Sequence, residues 1–335
     1  MRQPDVARLA GLLLALALLV PVAHAGRSAL WAGAFLVELL GQGRLAPLSA
    51  LTSAPTRAPL AVPGAIVDRY VPAGHDGGVP LVFVHGLAPE GKDDPRVRGA
   101  AELLARAGFD VSVPTIPGLT RGRLRSDDLA PVVATLAARA EPTVVLGVSV
   151  GAGPALLAAA DPRVRDRVRV VVSLGGYASA REVLRFWLTG TYAYGSVTGR
   201  VTHEPELVRA FVGANADLLD PATRGELMAE DPERAARFLA ALPPELERYL
   251  DTLSPLRVAR DISARLVLIH GRGDRAVPYT ESLRLHAARP ARTTVVLVGV
   301  IEHVEGRDAA GAWAPRDLLA LWRVLYALIG NEGSS

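Results

Sequence analysis

A serine flanked by glycines lies where a strand pattern passes directly into a helix pattern. Residues 147–151 read Gly-Val-Ser-Val-Gly, after the β-branched run Thr143 to Leu146 and before an Ala-rich stretch that reaches about Ala160. A sharp strand-to-helix turn presents the serine side chain at the end of its strand, and the flanking glycines let the helix and the strand approach closely. The first N–H groups of the helix then face a developing oxyanion. The pattern predicts that Ser149 is a nucleophile.

A serine hydroxyl needs a base, and His303 is the histidine best placed to supply one. It lies in a short loop directly after the last predicted strand, and we therefore expect it at the same sheet edge as Ser149. The other six histidines are His24 in the N-terminal segment, His75 in an early loop, His85 and His270 at strand ends, His203 in an insertion and His286 within a helix.

Asp274 follows the predicted strand Arg265 to His270 through Gly-Arg-Gly. A carboxylate at this position orients an imidazole and stabilises its charged form. Gly-x-Gly-Asp is also ordinary turn chemistry. The catalytic interpretation is favoured because Ser, Asp and His each follow a strand. The sequence thus predicts a triad of Ser149, Asp274 and His303.

Beyond Pro63, short apolar runs alternate with helical patterns, which predicts an α/β fold with a mainly parallel central sheet flanked by helices. Between Gly175 and Leu256 there are helical patterns but no convincing strand, so this segment is predicted to be a helical insertion. The other predicted strands are Ala65 to Val71, Val79 to Val84, Phe109 to Pro114, Val168 to Leu174 and Thr293 to Val298.

The strings LVFVHGL, GVSVG and HGRGD, with Val-Pro after the last and the loop His303 beyond it, resemble the α/β-hydrolase superfamily. The segment GKDDPRVRGAAELLARAGFDVSVPTIPG is similar to bacterial dienelactone-hydrolase-like and peptidase-like members. The resemblance covers about Ala65 to Leu328. It implies the α/β-hydrolase fold and an oxyanion hole formed by the N–H groups of Leu87 and Val150. It also implies that about 178–256 is the variable cap.

These residues predict an esterase- or lipase-like serine hydrolase that acts on a small-molecule acyl substrate. No cofactor is predicted, because no Walker A or dinucleotide fingerprint follows the first strands. The chain has no Cys, which excludes a thiolate nucleophile and zinc–thiolate sites. An acyltransferase or peptidase with the same triad, or a non-catalytic binding protein on this fold, remains an alternative. The aromatic residues from Tyr177 to Tyr194 predict either an acyl pocket or cap packing.

Residues 1–40 predict an export signal or a membrane anchor outside the catalytic fold. Two arginines precede the apolar run Leu9 to Val20, and Ala23-His24-Ala25 follows as a cleavage-site pattern. The run is shorter than the roughly 20 residues that span a bilayer. Because the chain continues apolar over 28–40, a cleaved signal and a retained anchor with an interfacial helix both remain open. A buried N-terminal helix is the alternative.

The composition of residues 41–63 and the distribution of charge indicate where the domain begins and which partners are disfavoured. Residues 41–63 are rich in Pro, Ser, Thr and Ala and predict a linker to an α/β domain over 64–330. The formal net charge is +3, and Arg is interleaved with Asp and Glu instead of forming a basic run. This distribution argues against a nucleic-acid partner. The sequence makes no prediction of the oligomeric state.

Overall fold

The computed structural model describes residues 25–41, 44–74, 77–228, 231–299, 301–302, 305–306 and 314–330. Its centre is an eight-stranded sheet with the order β1-β2-β4-β3-β5-β6-β9-β10. The strands are β1 (Thr56–Val62), β2 (Ala65–Val71), β3 (Val79–Val84), β4 (Phe109–Pro114), β5 (Thr143–Val148), β6 (Val168–Leu174), β7 (Thr191–Tyr194), β8 (Val197–Arg200), β9 (Arg265–Gly271), β10 (Thr293–Val298), β11 (Ile301–Glu302) and β12 (Glu305–Gly306).

Helices connect most of the strands. They are α1 (residues 25–40), α2 (Pro47–Leu51), α3 (Pro95–Arg106), α4 (Leu129–Ala137), α5 (Ala152–Ala160), α6 (Ala180–Thr189), α7 (Pro205–Ala214), α8 (Pro221–Met228), α9 (Pro232–Ala240), α10 (Pro244–Thr252), α11 (Thr280–Ala288) and α12 (Pro315–Gly330). Asp94 caps α3 by accepting a hydrogen bond from the Arg96 N–H.

The predicted fold class is confirmed. Strand β2 pairs antiparallel with β1 and with β4, and the remaining neighbours of this sheet, in the order β4-β3-β5-β6-β9-β10, pair in parallel. The central strands are β-branched on both faces because helices cover both sides of a parallel sheet. Their carboxyl ends therefore meet at one edge, where the loops that carry the predicted site residues leave the sheet.

Two helical layers cover the sheet. In β3, Val82 and Val84 point into the core beneath α4, α5 and α11, whereas Leu81 and Phe83 point into the core beneath α1, α3 and α12. This split follows from the two-residue period of a strand. Burying one such side chain stabilises the fold by about 1.5–3 kcal/mol. Both layers therefore contribute to stability.

Residues 25–40 do not lie outside the α/β domain, which corrects that prediction for this part of the segment. Phe35 of α1 is buried against the sheet, and Leu36 packs in one cluster with Val298 of β10 and Leu321 of α12. The Trp322 indole N–H donates to the Ala29 carbonyl at 3.0 Å. The apolar pattern of α1 thus faces a protein core. In the described part of the chain no helix is long and apolar enough to cross a membrane, and residues 1–24 lie outside it.

The predicted linker over 41–63 is also corrected, because it contains α2 and the edge strand β1. All seven residues of β1 pair with β2, from Thr56 opposite Val71 to Val62 opposite Ala65. The sequence concealed this strand because Pro59 and the small residues around it obscure the alternation. Pro is tolerated at a sheet edge, where one side of the strand forms no ladder.

The segment between β6 and β9 contains α6–α10, and it also contains the hairpin β7–β8, which was not predicted. The hairpin strands are four residues each and half-exposed, too short to give a clear period. The two ends of this cap segment meet, since the Leu256 N–H donates to the Ala178 carbonyl at 2.9 Å. The cap therefore leaves and rejoins the domain at one place.

Candidate active site

The turn between β5 and α5 holds Ser149 in a strained backbone conformation. Its φ is 53°, and no other non-glycine residue in the described part of the chain has a positive φ. A left-handed φ is costly for a residue with a Cβ, and such strain concentrates at functional sites. The side chain is 8% exposed at the carboxyl end of β5. This is the sharp strand-to-helix turn that the Gly-x-Ser-x-Gly pattern predicted.

Both flanking glycines are needed for this turn. A Cβ on Gly147 would lie 2.5 Å from the Ala152 Cα, and a Cβ on Gly151 would lie 2.1 Å from the His85 carbonyl oxygen. Neither distance is compatible with a real side chain. The two glycines therefore bring α5 against β5, and the turn against the loop that follows β3.

That loop contains Leu87, one of the two predicted oxyanion donors. A Cβ on Gly86 would lie 3.0 Å from the Ser149 Cβ and 3.6 Å from its Oγ, so the loop backbone passes directly beside the serine. Leu87 follows immediately and is half-exposed. The other predicted donor, Val150, lies in the first turn after Ser149, where backbone N–H groups lack an intrahelical acceptor.

His85 fixes the orientation of this loop. Its ring is fully buried, Nε2 accepts a hydrogen bond from the Ile116 N–H at 3.1 Å, and Nδ1–H donates to the Gly86 carbonyl at 2.7 Å. Burial lowers the pKa of the His85 imidazole below its ordinary value. Because a trans peptide group is planar, holding the Gly86 carbonyl also sets the direction of the Leu87 N–H. His85 is therefore a positioning residue, because its two hydrogen bonds fix the backbone of this loop.

Asp274 is buried at the carboxyl end of β9. Its Oδ1 accepts hydrogen bonds from the N–H groups of Ala276 at 2.8 Å and Val277 at 2.9 Å, and its Oδ2 lies 3.4 Å from His270 Nε2. The turn chemistry and the strand-end position expected for Asp274 are therefore both present. The two backbone bonds fix the orientation of the carboxylate.

His270 does not act as the base in this arrangement. The ring is fully buried, its Nε2–H donates to the Val277 carbonyl at 3.0 Å, and its Nδ1 is paired with the Ser282 hydroxyl at 2.8 Å. Both nitrogens are thus engaged in holding the loop that carries Asp274. The role is structural and supports the carboxylate.

His303 lies outside the described residues. Of its chain neighbours, Ile301–Glu302 and Glu305–Gly306 pair as the short strands β11 and β12. The Arg272 N–H donates to the Val298 carbonyl at 2.8 Å, so the loops after β9 and β10 are joined where they leave the sheet. The structure thus places Ser149 and Asp274 at one sheet edge and brings the chain that leads to His303 to the same edge.

The aromatic residues of the cap pack on one another. Trp187 stacks on His203 and on Phe211, and Phe186 meets His203 edge to face. The His203 Nε2 pairs with the Phe186 carbonyl at 3.0 Å, and burial lowers its pKa. Tyr177 is fully buried and donates to the Leu253 carbonyl at 3.0 Å. Of the two expectations for this cluster, packing is the one that these contacts support.

A buried carboxylate that was not predicted from the sequence holds the chain where the cap segment begins. Glu281, at the start of α11, is fully buried and accepts hydrogen bonds from the N–H groups of Ala178 at 3.0 Å and Ser179 at 2.8 Å. Burial raises the pKa of Glu281. No local signal marks this residue, because a glutamate in the first turn of a helix is ordinarily exposed and favoured by the helix dipole.

Other acidic residues have structural partners. Asp93 is paired with Arg57 and Lys92, and Asp94 caps α3. Across the described ranges, no group of three or more His, Asp or Glu side chains is arranged to hold a metal ion.

Neither a protein-family model nor a curated protein matches this sequence. Solved structures do match it. The uncomplexed acylaminoacyl peptidase of Pyrococcus horikoshii has a TM-score of 0.53 at 16% identity, over 84% of this chain and 42% of the peptidase. Est1E from Butyrivibrio proteoclasticus has a TM-score of 0.50 at 14% identity, over 82% of this chain and 99% of Est1E. This chain thus spans about two-fifths of the peptidase chains it matches. At these identities the similarity concerns the fold.

Proposed function

Since the chain has the α/β-hydrolase fold, we propose that it is a serine hydrolase that cleaves a carboxylic ester or a related acyl bond. The nucleophile is Ser149, the base is His303, and Asp274 orients the imidazole. The N–H groups of Leu87 and Val150 bind the oxyanion. The reaction requires no cofactor, because the serine and the imidazole supply the nucleophile and the proton transfer.

In the first half of the reaction, the Ser149 Oγ attacks the acyl carbon while its proton passes to His303. The carbonyl oxygen becomes an oxyanion that the two N–H groups stabilise. The bond between the acyl carbon and the leaving oxygen then breaks, and the leaving alkoxide takes the proton from His303. The products of this half are an alcohol and an acyl group on Ser149.

In the second half, water attacks the acyl group as His303 takes a proton from it. Collapse of the second oxyanion breaks the bond to the Ser149 Oγ, which regains the proton. The carboxylic acid leaves and the enzyme is restored. Asp274 stabilises the charged imidazole in both halves.

The observation that carries this proposal is the strained Ser149 at the β5–α5 turn beside the loop of Gly86 and Leu87. Glycine would adopt this left-handed conformation without strain, whereas a residue with a Cβ is strained in it. Its presence there is explained when the hydroxyl has to project from the sheet edge toward a substrate.

The test is Ser149→Ala, with Ser263→Ala as the matched control because Ser263 is exposed and remote from the site. We expect Ser149→Ala to lose p-nitrophenyl-ester turnover and labelling by a fluorophosphonate probe while its circular dichroism and thermal transition stay those of a folded protein. Ser263→Ala should keep both activities. Equal labelling of Ser149→Ala and the wild type would show that the nucleophile is another residue.

An acyltransferase or a peptidase would use the same triad with a different acceptor or scissile bond. A panel of esters of increasing chain length, lactones and N-acylated peptides, each assayed with and without an alcohol acceptor, separates these activities. A wild-type protein that neither turns over any member nor reacts with the probe would instead be a binding protein on this fold.

We also infer that residues 1–24 direct export or anchor the chain to a membrane. This rests on the basic start, the apolar run and the Ala-x-Ala pattern of the sequence. Cleavage after Ala25 would leave α1 almost whole. N-terminal sequencing of the mature protein from each cell fraction distinguishes a cleaved signal from a retained anchor, and an intact N-terminus in the soluble cytosolic fraction would exclude both.

A further inference from the structure

The outer surface of the layer formed by α1 and α12 carries a group of exposed apolar side chains. Leu30 and Val37 are 56% and 41% exposed, and they are seven residues apart on α1, so they lie on one stripe of the helix. Among the large apolar residues exposed within the described ranges, three lie on α1 and α12, and two more lie on α2 and in the loop before it. We call this group the α1 face, and it consists of Leu30, Val37, Leu45, Leu51 and Leu319.

Hydrogen bonds hold α2 beside the end of α1. The N–H and the hydroxyl of Ser49 on α2 both donate to the carboxylate of Glu38 on α1, the first at 2.9 Å. Leu45 precedes α2, and Leu51 is the last residue of α2. The Glu38–Ser49 contact therefore keeps these two exposed leucines on the segment that packs beside α1.

The exposed charged residues on the helices around this surface are arginines. The acidic residues of α1, α3 and α12 are Glu38, Glu102 and Asp317, and all three are half-buried, whereas the exposed Glu90 and Asp93 lie in the loop before α3. Asp317 is engaged with the Gly299 N–H at 2.7 Å. The exposed charged residues of α1, α3, α12 and the loop before α2 are Arg27, Arg44, Arg96, Arg98, Arg316 and Arg323.

The cap has the opposite character. Residues 178–256 contain 12 Asp and Glu against 8 Arg. Because the formal net charge of the chain is +3, the part of the chain outside the cap carries the excess of positive charge, and the exposed arginines beside the α1 face belong to that part. A basic surface with protruding leucines favours an anionic, partly apolar partner.

We propose that the α1 face docks on an anionic lipid bilayer. Leucine and valine side chains enter the boundary between headgroups and acyl chains, and the surrounding arginines contact the lipid phosphates. The position of this face in the chain agrees with such a partner. The apolar run Leu9 to Val20 is separated from α1 only by residues 21–24. This inference does not depend on the proposed hydrolase activity.

The absence of Cys from the chain makes a direct test possible. We would introduce a single Cys into the full chain as Val37→Cys or Leu30→Cys and label each with an environment-sensitive nitrobenzoxadiazole group. The matched control is Leu207→Cys, since Leu207 is a 52% exposed leucine on α7 of the cap. Each labelled protein is mixed with vesicles of phosphatidylcholine alone or with an equal part of phosphatidylglycerol.

With phosphatidylglycerol vesicles, we expect the labels at 30 and 37 to shift to shorter emission wavelength and to lose several-fold of their quenching by aqueous iodide. The label at 207 should not change. Pure phosphatidylcholine or high salt should weaken the effect, because salt screens the arginines. The triple variant Arg44→Glu, Arg98→Glu, Arg323→Glu should abolish it.

Three outcomes would overturn the proposal. The labels at 30 and 37 could remain fully quenched while the protein co-sediments with vesicles, which would mean that other residues bind the lipid. They could be shielded equally without vesicles, which would mean that residues 1–24 or a second copy of the chain covers the face. They could also change equally on both kinds of vesicle and in the triple variant, which would show that charge has no part in the contact.

Discussion

Gly86 faces the side chain of Ser149 so closely that a Cβ on Gly86 would lie 3.0 Å from the serine Cβ and 3.1 Å from the Val148 carbonyl oxygen. The backbone of the loop after β3 thus packs directly against the Ser149 side chain of the β5–α5 turn. Any side chain at position 86 must move one of them, and the loop also carries the Leu87 N–H.

Gly86→Ala is therefore expected to displace the loop after β3, which holds the proposed oxyanion donor Leu87, by a few tenths of an ångström. Because oxyanion donors act only when correctly placed, kcat for an ester should fall about 10- to 100-fold. The control is Gly99→Ala on α3, where an added Cβ meets nothing within 4 Å. That variant should keep full activity and gain slightly in stability. Equal kcat values for the two variants would contradict the assignment of the loop.

Asp274→Asn is expected to fold normally and to lose most activity. An Asn oxygen can still accept the hydrogen bonds from Ala276 and Val277, whereas the amide no longer stabilises a charged imidazole. We expect kcat to fall by about 10³- to 10⁴-fold. Asp161→Asn is a matched control, because Asp161 likewise accepts from an N–H two residues on, that of Arg163. A fully active Asp274→Asn enzyme would remove Asp274 from the triad.

His85 should make the stability of the protein depend on pH. Its pKa is lowered in the folded state, so the unfolded chain binds the proton more readily below the ordinary value of about 6.5. The stability contributed by neutral His85 is therefore complete above that pH and is lost as the pH falls through and below it. We expect the loss to be at most about 1.4 kcal/mol per pH unit for this group.

The comparison for His85 is His85→Gln, whose side-chain oxygen can accept the Ile116 N–H without titrating. Urea unfolding of both proteins at pH 7.5 and 5.5 measures the difference. The variant should lose less stability than the wild type on acidification. Its kcat should also be lower, because the Gly86 carbonyl loses its donor. Identical pH slopes would show that folding does not change the proton binding of His85 over this range.

Phe35→Ala tests whether α1 belongs to the folded domain. Phe35 is 5% exposed in the core beneath the sheet, and truncating a buried Phe costs about 3–5 kcal/mol. Val37→Ala on the outer side of the same helix should change the free energy of unfolding by no more than about 0.5 kcal/mol. Chemical denaturation of the two variants gives the comparison. Equal stabilities would mean that α1 is dispensable for the fold.

The sequence by itself determined the features that depend on neighbouring residues. The strand β5, the glycines at 147 and 151 and the helix after them form one continuous pattern, and their geometry follows from local sterics. The same is true of the buried run in β3 and of the Asp94 cap. The parallel sheet follows from the alternation of such elements. The placement of Ser149 and Asp274 at one edge follows from parallel strands.

Only the tertiary structure decided which apolar or polar surfaces meet across long stretches of chain. The apolar side of α1 packs on the sheet because Ala29 and Phe35 find partners near Trp322 and Leu328, almost 300 residues later. The burial of Glu281 likewise depends on N–H groups about 100 residues away. A window of adjacent residues carries the hydrophobicity of a segment, but not the identity of the surface that covers it.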